Sequence, residues 1–153
     1  MEFIFKNIDK AGFERIWDSD YEDAFEDSHK RPFKSTPKRE WEPIFIKQSL
    51  VMREVFLDDL PVGYIFISTK NDETAHLGYG LFKKKRGKGL CVEMCKQYLT
   101  QTLPLLNEKV RSILATTLED NTSSQKVLLK LNFQFQKKIQ VNGINYFRFK
   151  KEL

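Results

Sequence analysis

The chain has 153 residues, enough for one domain with a sizeable buried core, and a single domain over 1–153 is expected. Hydrophobic residues make up 41% and charged residues 31%, and thirteen Phe, five Tyr and two Trp add aromatic bulk, which excludes a disordered chain. No apolar run approaches the roughly 20 residues that span a bilayer, and the opening MEFIFKNIDK has neither a long apolar core nor a small-residue cleavage site. A cytoplasmic protein without membrane partners is expected.

Phe3-Ile4-Phe5 predicts a short edge strand. Residues 10–17 are compatible with helix, with Phe13, Ile16 and Trp17 on one face. Six acids follow: Asp18, Asp20, Glu22, Asp23, Glu26 and Asp27, in a second short helix or a loop. Ser35 and Thr36 can cap a helix that starts at Pro37 and is interrupted at Pro43.

Three β signals come next. Val51 to Leu57 alternates weakly, and Asp58-Asp59 offers a turn into Val62 to Thr69, which is rich in β-branched and aromatic residues. Asn71-Asp72 turns the chain into Ala75 to Phe82, which completes an antiparallel meander. After Gly87 and Gly89 a helix follows, with Cys91, Met94, Cys95, Tyr98 and Thr102 on one face and Pro104 as its stop. Val110 to Thr117 predicts a strand, Asn121 caps another helix, and Phe133 to Val141 and Asn145 to Lys150 form a hairpin around Asn142-Gly143. The order β, α, α, three β, α, β, α, β, β describes a mixed α/β sheet, neither a Rossmann repeat nor an all-β barrel.

Cys91 and Cys95 lie four apart, and the two histidines, His29 and His76, are distant in sequence from each other. A zinc site needs four ligands at recognisable spacing, so two small buried thiols and no metal are expected. The net charge of +5 is unevenly spread, with basic residues concentrated in one short loop. That suits a small polyanion at least as well as nucleic acid.

That loop lies in LGYGLFKKKRGKGL, Leu77 to Leu90, where a strand runs into a glycine loop that opens a helix. Backbone N–H groups of such a loop can turn toward one point, and the helix N-terminus adds partial positive charge. Lys83, Lys84, Lys85, Arg86 and Lys88 surround it, while Gly87 and Gly89 permit unusual φ. The spacing fits neither a Walker loop nor the dinucleotide fingerprint.

Two motifs in order then carry a family resemblance. Lys84-Lys85-Arg86-Gly87-Lys88-Gly89 resembles the GNAT pattern Gln/Arg, two residues, Gly, one residue, Gly/Ala. Asn121, Ser124 and Lys130-Leu131-Asn132-Phe133 resemble its later helix, Asn, two residues, Ser/Ala, then a Lys-x-Gly-Phe end. The likeness spans roughly 51–150, and Ser124 with Leu77-Gly78-Tyr79 looks most like the ribosomal-protein N-terminal acetyltransferase branch.

The resemblance implies a mostly antiparallel sheet of about six to seven strands, about four helices and a splayed strand pair that admits acetyl-CoA. Leu81 and Phe82 would pair with the pantetheine arm, and residues Arg86, Gly87, Lys88, Gly89 and Leu90 would hold the pyrophosphate, with Lys84 at the loop's charged position. Asn121 would contact the arm and Ser124 would sit near the sulfur. Three residues depart from the pattern: Lys84 for Gln/Arg, Asn132 for the helix-ending Gly, and Leu128 where many relatives carry a tyrosine general acid. Ser124 is then the remaining catalytic candidate for protonating the thiolate.

The implied reaction is direct attack of a primary amine, on a peptide N-terminus or a small molecule, on the thioester. Its general base is open among Glu54, Glu73, His76 and water. The acidic residues 18–27 fall where GNAT relatives build the acceptor mouth. A monomer or a homodimer is expected. A CoA-binding module without catalysis is the alternative that Leu128 raises. A nucleic-acid-binding domain is a weaker one, because the loop lacks aromatic platforms.

Overall fold

The computed structural model describes residues 1–18, 52–69, 71 and 73–153. Along the described residues the chain forms β1 (Phe3–Asn7), α1 (Lys10–Ile16), β2 (Met52–Leu57), β3 (Leu60–Thr69) and β4 (Thr74–Leu81). Then come α2 (Leu90–Thr102), β5 (Ser112–Leu118), α3 (Thr122–Lys130), β6 (Gln134–Val141) and β7 (Ile144–Glu152). The strands make a seven-stranded sheet in the order β1-β2-β3-β4-β5-β7-β6. The class is the expected mixed α/β one. Three α-helices among the described residues stand against about four expected, and the helix expected from Pro37 lies outside them.

Two compact units divide the chain, residues 1–66 with 79–90 and residues 67–78 with 91–153. In the first, Asp9 Oδ1 accepts the Gly12 N–H at 2.7 Å and caps α1. Phe13 and Ile16 of α1 pack with Ile8, Met52 and Phe82, and Trp17, Tyr64 and Phe66 close around them. The β2–β3 turn places Asp58 and Asp59 at φ 51° and 62°, the left-handed pair that a two-residue hairpin needs. The register shifts between Val55 and Phe56, so Val62 is an extra residue on β3. Directly after it, a methyl group on Gly63 would run into the Gly80 carbonyl, so only glycine lets β3 and β4 meet there.

In the second unit, β4 pairs in parallel with β5 through Thr74–Ser112, Ala75–Ile113 and His76–Leu114. Helix α2 buries Met94, Cys95, Tyr98 and Leu99, while Cys91 and Thr102 stay half-buried. A short 3-10 turn, Leu103–Leu105, carries the chain away at Pro104. The β6–β7 turn holds Asn142 at φ 51° and Gly143 at φ 78°, as the Asn-Gly pair predicts. Strand β6 forms the sheet edge, and every side chain on it but Ile139 is exposed. Among the described residues no helix is long and apolar enough to cross a membrane.

Candidate functional site

In the first unit β4 ends at Leu81 and runs into a tightly wound loop. The Lys85 N–H donates to Phe82 O at 2.7 Å and the Arg86 N–H to Lys83 O at 3.3 Å. The Arg86 side chain folds back, its Nε donating to Leu81 O at 2.9 Å. Gly87 and Gly89 follow at φ 77° and 73°, a conformation that L side chains resist, and nothing lies within 4 Å of where a Cβ would stand on either. Conformation, not crowding, demands these two glycines. Lys83, Lys84, Arg86 and Lys88 are exposed and Lys85 is half-buried, and the 13-residue α2 opens at Leu90. Exposed cations at a helix start form an anion-binding arrangement.

The strand leading into this loop has an incomplete ladder. Its parallel pairing stops at His76–Leu114, although β4 runs on to Leu81 and β5 to Leu118. Successive residues of a strand direct their backbone groups to alternate edges. The Phe82 N–H donates to Val62 O at 2.9 Å, toward β3, so the Leu81 N–H points to the opposite edge. Both backbone groups of Phe82 are thus engaged within the protein.

In the second unit Asn121 caps α3, its Oδ1 accepting the Ser124 N–H at 3.2 Å. Gln125 then pins the turn before the helix. Its Nε2 donates to Leu118 O at 3.1 Å and Glu119 O at 3.0 Å and approaches Thr117 Oγ1 at 3.4 Å. Nothing in the sequence singles out this clamp. At the far end the Phe133 N–H donates to Leu128 O and the Asn132 N–H to Leu129 O, each at 3.0 Å, with Asn132 at φ 65°. This is a Schellman cap with asparagine in the glycine position. Leu128 is 0% exposed, so the tyrosine position of the motif is a core position here.

The three candidate bases differ in their local surroundings. Glu54 is 2% exposed and held by both arms of Arg15, with Nε on Oε2 and Nη2 on Oε1 at 2.7 Å each. That hydrogen bond raises the Arg15 pKa above its ordinary value, and a methyl on Gly12 would stand 2.7 Å from Glu54 Oε1. Glu54 anchors α1 to β2, each of its two oxygens accepting a bond from Arg15. Glu73 precedes β4 at the end away from the loop, and its carbonyl accepts the Arg111 and Ser112 N–H groups. His76 is half-buried within the three-residue ladder. Apart from exposed Asp18, the acidic stretch 18–27 lies outside the described residues.

Tyr64 carries no motif signal in the sequence. A methyl on Gly80 would stand 2.6 Å from Tyr64 Cε1 and 2.7 Å from its Oη, so the phenol lies on the β4 backbone. A glycine inside a β pattern signals such an approach. Of the two thiols expected to be buried, Cys91 is half-buried and Cys95 is buried, and a hydrogen bond with the Cys91 thiol, then burial, holds the Cys95 pKa well above the ordinary value. Among the described residues no group of three or more His, Cys, Asp or Glu could hold a metal ion.

A family model described as an acetyltransferase (GNAT) domain matches residues 11–134. No curated protein matches the sequence. Solved structures match over nearly the whole chain. The GNAT-family acetyltransferase from Bacillus anthracis is 17% identical, with 99% of this chain and 95% of that one covered and a TM-score of 0.77. Campylobacter jejuni N-acetyltransferase PseH, in complex with acetyl coenzyme A, is 13% identical, with 99% of each chain covered and a TM-score of 0.66. The ribosomal-protein-S5-alanine acetyltransferase from Vibrio fischeri is 17% identical, with 99% and 93% covered and a TM-score of 0.72. At these identities the likeness shows the fold.

Proposed function

The chain belongs to the acetyltransferase (GNAT) domain family, and we propose from this that it moves the acetyl group of acetyl-CoA to a primary amine by direct attack. The observation that carries the proposal is the end of β4, where a parallel ladder stops while the strand continues into a cationic loop with two left-handed glycines. An unpaired strand edge can pair with an extended amide chain, and pantetheine is one. Exposed cations at a helix start suit its pyrophosphate. The acetyl-CoA held by the Campylobacter relative supports the same cosubstrate here.

On this reading the Leu81 N–H meets the pantetheine arm and Phe82 holds the turn that follows. Lys84, Arg86, Gly87, Lys88, Gly89 and Leu90 hold the pyrophosphate, Arg86 doing so from a side chain already braced on Leu81 O. Asn121 contacts the arm, and the Ser124 hydroxyl lies at its sulfur end. Acetyl-CoA supplies an acyl thioester. Strand N–H groups near Leu81 stabilise charge on the carbonyl oxygen. With Glu54 committed to Arg15 and Glu73 at the other end of β4, the amine proton passes to water. The acceptor class is a peptide N-terminus, as for the Vibrio relative, or the amine of a small molecule.

Thermal unfolding with acetyl-CoA, CoA and an oligonucleotide tests the binding half. Ligand at a hundredfold over Kd stabilises by about 2.7 kcal/mol, which raises Tm by roughly 5–10 °C at this size. That shift is expected for acetyl-CoA and CoA. A shift with oligonucleotide alone would overturn the proposal. A second reading, a CoA-binding module without catalysis, is favoured by the buried Leu128 and the committed Glu54. Thiol release across a screen of amines and peptides separates the two: release establishes transfer, and CoA binding without release establishes the module.

A further inference from the structure

We propose that Tyr64, on β3, is the proton donor to the departing sulfur, resting this on the acetyl transfer inferred above. The tyrosine position on α3 is closed, because Leu128 has no exposed surface. A phenol nevertheless reaches the end of β4 from another element. Tyr64 lies so close over Gly80 that a single methyl there would stand 2.7 Å from Tyr64 Oη. Gly80 directly precedes Leu81, whose carbonyl is fixed by Arg86. It also lies beyond His76, where β5 ceases to pair with the strand. The hydroxyl therefore stands at the stretch of β4 assigned above to the acyl end of the arm.

Its surroundings fix the ring. Phe66 and Trp17 pack with it around Phe13, Met52 and Phe82, and Glu54 is its cross-strand neighbour on β2. The charge facing Tyr64 from β2 and α1 is thus the Glu54–Arg15 pair, whose carboxylate is satisfied by two 2.7 Å bonds. The phenol is half-buried.

Acidity favours Tyr64 over Ser124. A phenol has a pKa of about 10 and a thiol about 8.5, so the proton moves from phenol to thiolate with little penalty. A serine hydroxyl is a far weaker acid. In the step, the amine lone pair forms the C–N bond and the C–S bond breaks with its electron pair on sulfur. Tyr64 Oη gives its proton to that sulfur, leaving free thiol. The proton lost from the amine nitrogen returns to the phenolate through water, so the enzyme ends as it began.

The test is Tyr64→Phe beside Ser124→Ala, each followed by thiol release and by the thermal shift with CoA. Tyr64→Phe is expected to lower kcat by about 10²-fold, with unchanged KM for acetyl-CoA and an unchanged CoA shift. Ser124→Ala is expected to cost less in kcat. A Tyr64→Phe enzyme within twofold of the parent kcat overturns the proposal. So does a loss of kcat accompanied by an equal loss of the CoA shift, which marks a packing role. Absence of any CoA shift or thiol release in the unsubstituted protein overturns the acetyl-transfer reading itself, and this proposal with it.

Discussion

Over Thr74–His76, β4 is secured residue by residue against Ser112–Leu114, with Ala75 and Ile113 fully buried. From Gly80 to Leu81 the same strand is secured differently, by Arg86 reaching back to Leu81 O and by a phenol laid over Gly80. The first half is held by backbone pairing that almost any β-forming sequence can supply. The second depends on named residues, and on the proposed reading its edge away from β3 meets the ligand. On that reading stability and binding are separated along a single strand, and substitutions on the two halves should have separable effects.

Ile113→Ala strikes the first half. Removing a fully buried side chain should cost about 4 kcal/mol, read as a lower midpoint in denaturant, while the CoA-induced shift of the remaining folded protein persists. Loss of that shift would break the separation. Gly63→Ala strikes the second half through its neighbour, because the new methyl meets backbone that cannot rotate away. A cost of about 3 kcal/mol is expected, near 10 °C in Tm, with CoA binding weakened as well. A variant of parental stability would mean that β3 and β4 separate there without penalty. Gly87→Ala should be mildest for the fold, about 1 kcal/mol for a left-handed alanine. It should nonetheless remove most of the CoA shift, and an intact shift would detach the loop from the pyrophosphate.

Local signals were legible in the sequence. Asn142-Gly143 takes the left-handed pair that its turn requires, and Asn132 takes the cap that glycine fills in the motif. The face of α2 and the cap at Asn121 follow from spacing alone. The early end of the β4–β5 ladder has no local pattern that signals it. What was not legible is pairing over long sequence distance. Glu54 reads as a candidate base until Arg15, 39 residues away, is found holding both its oxygens. Tyr64 reads as one more aromatic in a strand until Gly80 is found beneath it. The glycines in VGYIF and LGYGL carried that information, but each shows only that something comes close.

The loop Lys83–Lys88 crowds five cations into six residues, four of them exposed. At low ionic strength these charges repel one another over a screening length of about 10 Å. The loop therefore carries a repulsion that any bound polyanion relieves. Added salt acts in two opposed directions, easing the empty loop and weakening its hold on an anion. Sulfate or phosphate in a buffer would occupy the same charges, so the solution chosen to keep this protein also sets how readily its loop accepts a ligand.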